Sequence, residues 1–342
     1  MPIKFNSFPY LVRKEIINLM CNQELLIFSF CSLKTRQFAM NHFTRRDVKI
    51  IRYLFHSTKF VVQTVDMDEI EEYILTGLST ERLIRRKSVV IGEFQKPIFF
   101  ALNTEEEPHR AYLICNIRHW KRMCQAVFDH LSALFRHSSP KISISFNSVT
   151  EFENAIEMPG LACTMLGGGT VDAKMLDEHS ETYPKQMSAL LDTEITGQFG
   201  ENSEFLEVST IHSMKSSPVS LFKLFRGRDL RLFNFKFDTN DVVEFLEKWI
   251  TGVSYQNLEL LYLFSPVSLN IDKRAIIQQF GLERWPENTP YMFEFMPSGD
   301  PVKKSDKLVY DCRRYYQVER ESDHKLAAIK VRGNDILFFV FQ

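Results

Sequence analysis

Leu230–Phe237 reads LRLFNFKF, Asp238–Gly252 reads DTNDVVEFLEKWITG, and Leu258–Phe264 reads LELLYLF. The first run alternates apolar and polar residues, as a half-buried strand does. The second opens on a capping Asp238 or Thr239 and carries acids in its first turn. It places Val242, Val243, Phe245, Leu246, Trp249 and Ile250 on one side and closes at Gly252, so its spacing predicts a helix. The third run is again strand-like. Strand, crossover helix and strand make a βαβ unit, for which parallel strands and a right-handed connection are expected. The fold class that follows is α/β, or α+β over the whole chain.

Working outward, Lys141–Phe146 (KISISF) alternates strictly and predicts a strand. Ser148 or Thr150 then caps a short helix containing Phe152, Ala155 and Ile156, stopped by Pro159-Gly160. Ala111–Ile117 followed by a helix over Arg118–Phe135 is a looser version of the same order, with Trp120, Met123, Val127, Leu131 and Leu134 on one stripe. Gly167-Gly168-Gly169 is expected in a turn or loop, and Val208–Ile211 as a short strand. Leu258-x-Leu260-Leu261-x-Leu263 resembles the strand portion of a leucine-rich repeat, although no strict period recurs. An irregular, leucine-rich-repeat-like α/β array is therefore expected over residues 110–342, with a closed α/β domain as the other reading. Upstream, Asp47–Thr64 suits one or two strands or a short helix, 66–75 a short helix, Ser88–Leu102 two strands, and Thr104–Arg110 a polar loop.

The chain closes on strands at Met292–Met296, Tyr315–Arg320, Leu326–Val331 and Ile336–Phe341. The last two are joined across Arg332-Gly333-Asn334-Asp335, where Gly333 or Asn334 is expected to take a positive φ. An exposed ILFFVF strand would invite edge-to-edge association, so it must be buried.

The N-terminal stretch Phe8–Met40, FPYLVRKEIINLMCNQELLIFSFCSLKTRQFAM, alternates short amphipathic runs with polar breaks. Pro9 suits a first helical turn. Asn22 and Ser32 are plausible caps for a second and a third helix. Leu25-Leu26-Ile27-Phe28 leaves little room for a solvated face, so the segment needs burial against a partner, against the rest of the chain, or both. Three units are expected: a three-helix segment at 1–50, a loosely patterned α/β connecting region at 51–139, and an α/β domain at 140–342.

The residues Phe8-Pro9-Tyr10-Leu11-Val12-Arg13-Lys14-Glu15-Ile16-Ile17, then Glu24-Leu25-Leu26, Ser29-Phe30-Cys31-Ser32 and Thr35-Arg36 resemble an F-box. More narrowly, they are similar to the F-boxes of nematode families that carry a C-terminal F-box-associated domain. Asp229-Leu230-Arg231-Leu232, Phe245-Leu246-x-x-Trp249-Ile250-x-Gly252 and Asn257-Leu258-Glu259-x-Leu261 are similar to the second type of that associated domain. The resemblance implies a three-helix motif that docks on a Skp-type adaptor and, through it, on a cullin–RING ubiquitin ligase. It also implies a C-terminal domain that recruits a protein substrate. The expected adaptor-docking residues are Pro9, Leu11, Ile16, Ile17, Leu25, Leu26 and Phe28, with Arg13 and Lys14 as rim charges.

Charge supports a protein partner. Residues 1–60 carry +7 and the remainder −8 within a net charge of −1. A basic segment also suits nucleic acid, but its cations are mixed with too many large apolar residues to form a phosphate-tracking face. No nucleic-acid and no membrane partner is expected: no apolar run reaches the roughly 18 residues of a spanning helix, and no signal peptide is legible. The chain is therefore expected to be soluble and intracellular, with its six cysteines reduced and mostly buried.

Motifs for chemistry are few. Gly167-Gly168-Gly169-Thr170 lacks the Lys-Ser/Thr of a phosphate loop. Cys115, His119 and Cys124 fit no standard zinc spacing. Glu105-Glu106-Glu107 and the acids from Asp66 to Glu72 read as solvated faces. Neither an enzyme nor a cofactor is expected. The competing readings are a non-enzymatic interaction scaffold, a nucleic-acid binder, and a hydrolase or transferase.

Overall fold

A computed structural model describes residues 5–42, 48–56, 59–65, 71–78, 87–91, 94–102, 111–114, 117–153, 155–267, 269, 271–286, 292–295 and 308–341. The chain divides into two compact units, Met1–Leu161 and Ala162–Gln342. Both are mixed α/β.

The first unit opens with α1 (Tyr10–Leu19), α2 (Asn22–Phe30) and α3 (Leu33–His42). Strands β1 (Ile50–His56), β2 (Lys59–Val65), β3 (Glu71–Leu78), β4 (Lys87–Ile91), β5 (Phe94–Leu102) and β6 (Ala111–Ile114) follow, then α4 (Trp120–Leu134), β7 (Lys141–Phe146) and α5 (Val149–Glu153). The strands lie in the order β7-β1-β2-β3-β6-β5-β4. β1 runs parallel to β7 and β3 to β6; the other described pairs are antiparallel. The amphipathic stripe read from the sequence is the buried face of α4: Met123, Val127, Leu131 and Leu134 are inaccessible. Phe128 meets Tyr53 at 5.6 Å and Trp120 meets Phe60 at 5.3 Å, which seats α4 on β1 and β2.

Two expectations fail here. The helix expected at 66–75 is replaced by β3, while residues 66–70 lie outside the described residues. β3 pairs with β2 on one side and β6 on the other, so two ladders satisfy its backbone, and a short isolated helix is marginal by comparison. The helix after Lys141–Phe146 stops at Glu153, short of Ala155 and Ile156. The Thr104–Arg110 loop lies outside the described residues.

The second unit contains β8 (Leu161–Asp172), α6 (Ala173–Thr182), β9 (Ser188–Thr196), β10 (Thr210–Ser213), α7 (Val219–Leu224), β11 (Asp229–Leu232), α8 (Thr239–Ile250), β12 (Leu260–Phe264), α9 (Lys273–Phe280) and β13 (Glu283–Arg284). It ends with β14 (Met292–Phe295), β15 (Leu308–Asp311), β16 (Tyr316–Glu319), β17 (Leu326–Val331) and β18 (Asp335–Val340). β8 to β12 are neighbours in chain order, each parallel to the next. Beyond β12 the sheet continues antiparallel through β18, β17, β16 and β13, and β14 pairs with β15 separately.

The βαβ unit is therefore present. α8 begins with a reciprocal cap: Asp238 accepts from the Asp241 amide (2.9 Å) and Asp241 from the Asp238 amide (3.1 Å). Val242, Phe245, Leu246 and Trp249 are buried, with Phe245 and Trp249 each 5.0 Å from the Phe338 ring of β18. Arg320 lies over Trp249 at 5.2 Å and holds Asp323 through two bonds of 2.8 and 2.7 Å. On the other face of the sheet, Phe339 packs against Phe293, Tyr310 and Tyr315. The C-terminal strand is thus core on both sides.

Local departures have local causes. β11 ends at Leu232 because Asn234 is left-handed (φ 55°), turning Phe235 and Phe237 inward to stack on one another at 6.1 Å. Gly167–Gly169 is part of β8, at an irregularity of the β8–β9 register, where Gly168 and Gly169 take φ of 70° and 74°. The β17–β18 hairpin forms without a positive φ at Gly333 or Asn334. Its turn is closed by the Arg332 amide on the Asp335 carbonyl (2.9 Å), and the Asn334 and Gly333 carbonyls accept from Ser265 and Leu269.

Candidate docking surface

The three N-terminal helices are tied into the first unit by their sequence details. Pro9 is the residue before α1, with an extended ψ of 151°. α2 is capped by Cys21, not Asn22: Cys21 Sγ accepts from the Glu24 amide (3.5 Å) and Glu24 accepts from the Cys21 amide (3.0 Å). Asn22 instead donates to Thr64 Oγ1 on β2 at 3.3 Å. Ser32 caps α3 as expected, accepting from the Thr35 amide (3.1 Å), while Thr35 Oγ1 accepts from the Ser32 amide (2.9 Å).

α2 is fastened to α4 by a buried polar contact. Ser29 Oγ donates to Leu26 O (2.6 Å), so it accepts from His130 Nε2 at 2.7 Å. That leaves His130 Nδ1 bare, and it has no hydrogen-bond partner. Phe30 stacks on the imidazole at 4.8 Å. Burial, helped by the charge of Arg36, pushes His130 down to about 3, so the ring is neutral at physiological pH. α1 and α3 are joined by rings: Tyr10 meets Phe38 at 6.0 Å and His42 at 5.1 Å, and the Arg13 guanidinium covers Phe38 at 4.8 Å, while Phe5, ahead of α1, lies 4.6 Å from Phe28 of α2.

The expected docking residues consequently fall into three groups. Ile17, Leu25 and Leu26 are completely buried inside the unit. Ile16 and Phe28 are half-buried, and Pro9 and Leu11 are exposed. The structure does not bring all seven to one surface. Besides Leu11 (71%), it exposes residues outside that set: Leu19 (82%) and Leu33 (68%), together with Tyr10 and Val12. Leu11 and Leu19 stand eight residues apart on α1 and so share a face, with Glu15 between them. Scattered exposed leucines are ordinary, but two on one short helix, with Tyr10 and Val12 exposed as well, give an apolar surface that suits a partner. Leu19 closes α1, whereas Leu33 carried no signal because it follows the cap directly.

Chemistry-bearing candidates lie elsewhere and do not converge. Cys124 is buried on α4, His119 precedes that helix, and Cys115 lies outside the described residues, as does Glu105–Glu107. Trp249 is core, while Trp120 is half-buried. Cys163 and Cys312 are buried, whereas Cys21 and Cys31 are exposed. Among the described residues no three His, Cys, Asp or Glu side chains are grouped to hold a metal, and no helix is long and apolar enough to cross a membrane. Comparison with protein-family models, with curated proteins and with solved structures finds no match.

Proposed function

We propose that this chain is a substrate receptor of a cullin–RING ubiquitin ligase, docking on a Skp-type adaptor through its N-terminal helices and recruiting a protein target through the second unit. The observation that carries the reading is the exposure of Leu11 and Leu19 on one face of α1, flanking Glu15, together with that of Leu33 on α3, within residues 1–60, whose charge is +7. Apolar anchors with a basic rim suit an acidic adaptor groove, the anchors supplying affinity and the rim encounter rate. Arg13 and Lys14 are the rim charges. In the second unit, strands adjacent in chain order and parallel from β8 to β12 support an irregular, leucine-rich-repeat-like array, since equivalent positions (Cys163, Ser188, Thr210, Asp229, Leu260) recur at unequal intervals. Such a receptor works in the cytoplasm or nucleus and needs no catalytic group of its own, because its contribution is proximity.

Affinity purification with mass spectrometry tests this reading. An adaptor and a cullin among the captured proteins are expected; absence of both removes the assignment. A second reading, a non-enzymatic scaffold without ligase linkage, is favoured by one observation: Ile17, Leu25 and Leu26 are used up inside the first unit. Under it, proteins are captured with neither adaptor nor cullin among them.

A further inference from the structure

β1 and β7 run parallel and end level, Phe55 pairing with Phe146. Outside their carboxyl ends the first unit holds a cavity of about 410 Å³. In open α/β sheets ligands bind outside the carboxyl ends of parallel strands, and the volume lies within the roughly 300–1,000 Å³ of small-molecule sites. Part of the lining is apolar and rigid. Phe55 is fixed between Phe60 (6.2 Å) and Phe146 (5.6 Å), and Trp120 packs edge-on against Phe60.

The rest of the lining is polar and biased toward binding an anion. Arg118 and Lys121 bring two cations, and Ser148 and Thr150 bring hydroxyls. His56 Nδ1 is held by the Asn147 side-chain amide. The acid in the lining, Glu151, is committed to the cap of α5: it accepts from the Asn147 amide at 2.9 Å, while Ser148 accepts from the Glu151 amide at 3.3 Å. A guanidinium and an ammonium beside hydroxyl donors match a dianionic head, and the Trp120–Phe55 wall matches a flat apolar body.

We propose that this cavity binds a phosphate monoester, its phosphate at Arg118 and Lys121 and its apolar body against Trp120 and Phe55. The same chemistry arrives either on a free small molecule or on a phosphorylated side chain of a protein. Binding here does not depend on adaptor docking.

The test titrates the full chain with phenyl phosphate, inorganic phosphate, phenol and a phosphotyrosine peptide by calorimetry. Saturable binding of phenyl phosphate is expected, at least tenfold tighter than inorganic phosphate or phenol. Arg118→Gln with Lys121→Gln, both at exposed positions, should weaken it at least tenfold in a chain that still unfolds cooperatively. Trp120→Leu should weaken phenyl phosphate but not inorganic phosphate. Tighter binding of the peptide than of phenyl phosphate assigns the site to a protein-borne ligand, and weaker binding to a free one. No saturable binding of phenyl phosphate, or equal affinity in the folded double variant, overturns the proposal.

Discussion

His130→Phe should make the first unit less sensitive to acid. The parent imidazole is neutral and buried, with Phe30 stacked on one side and Ser29 bonded at Nε2. Its unfolded value of 6.5 falls to about 3 in the folded chain. A depressed folded value means that the unfolded chain binds the proton first. The stability His130 contributes is therefore complete above pH 6.5 and drains away as pH falls toward 3. Linkage sets a ceiling of about 1.4 kcal/mol per pH unit, and between about pH 6 and pH 5 the loss amounts to about 1 kcal/mol. Phenylalanine keeps the stack and carries no proton, while Ser29 retains its bond to Leu26 O. Urea unfolding followed by circular dichroism, on parent and variant at several pH values, measures the difference directly. His179 is buried and depressed to about 3 as well, but it is present in both proteins and cancels. The stability difference should change by about 1 kcal/mol in favour of the variant on going from about pH 6 to pH 5. A difference that stays constant across that interval refutes the neutral buried imidazole.

Leu26→Ala, at a fully buried site, should cost about 2–5 kcal/mol, whereas Leu11→Ser, at a largely exposed one, should stay within about 0.5 kcal/mol by the same unfolding measurement. Gly227→Ala should destabilise the second unit by about 1–3 kcal/mol, because an added Cβ would lie 2.2 Å from Val208 O and 2.5 Å from the Phe225 ring; an unchanged midpoint contradicts that packing. Asp238→Ala removes one half of the α8 cap and should cost about 1 kcal/mol, read as a lower midpoint with the same denaturant slope.

How much of this was legible depended on whether local pattern and tertiary context agreed. The α8 unit was readable because cap, stripe and closing glycine all point one way; Gly252 takes a φ of 71°. The C-terminal hairpin was readable from the need to bury ILFFVF, although its turn uses docked carbonyls where a left-handed residue was expected. β3 was misread because acids and helical spacing at 66–75 are local signals, while pairing with β2 and β6 is not. The glycines of β8 read as a loop because a bulge and a turn ask for the same residue. At the docking surface, the apolar content of Phe8–Met40 was legible, but its partition was not. Which leucines turn inward depends on partners far along the chain, as the Ser29–His130 contact between α2 and α4 illustrates, and no spacing within α1 or α2 encodes that choice.

The central claim concerns the exposed face of α1, and titration of the full chain with a purified Skp-type adaptor tests it most directly. Burying a leucine contributes about 1.5–3 kcal/mol, and every 1.4 kcal/mol is about tenfold in affinity. The parent should bind, and Leu11→Ser with Leu19→Ser should bind at least tenfold more weakly while unfolding at the parent's midpoint. An adaptor that does not bind the parent, or binds the double variant equally well, would contradict the account.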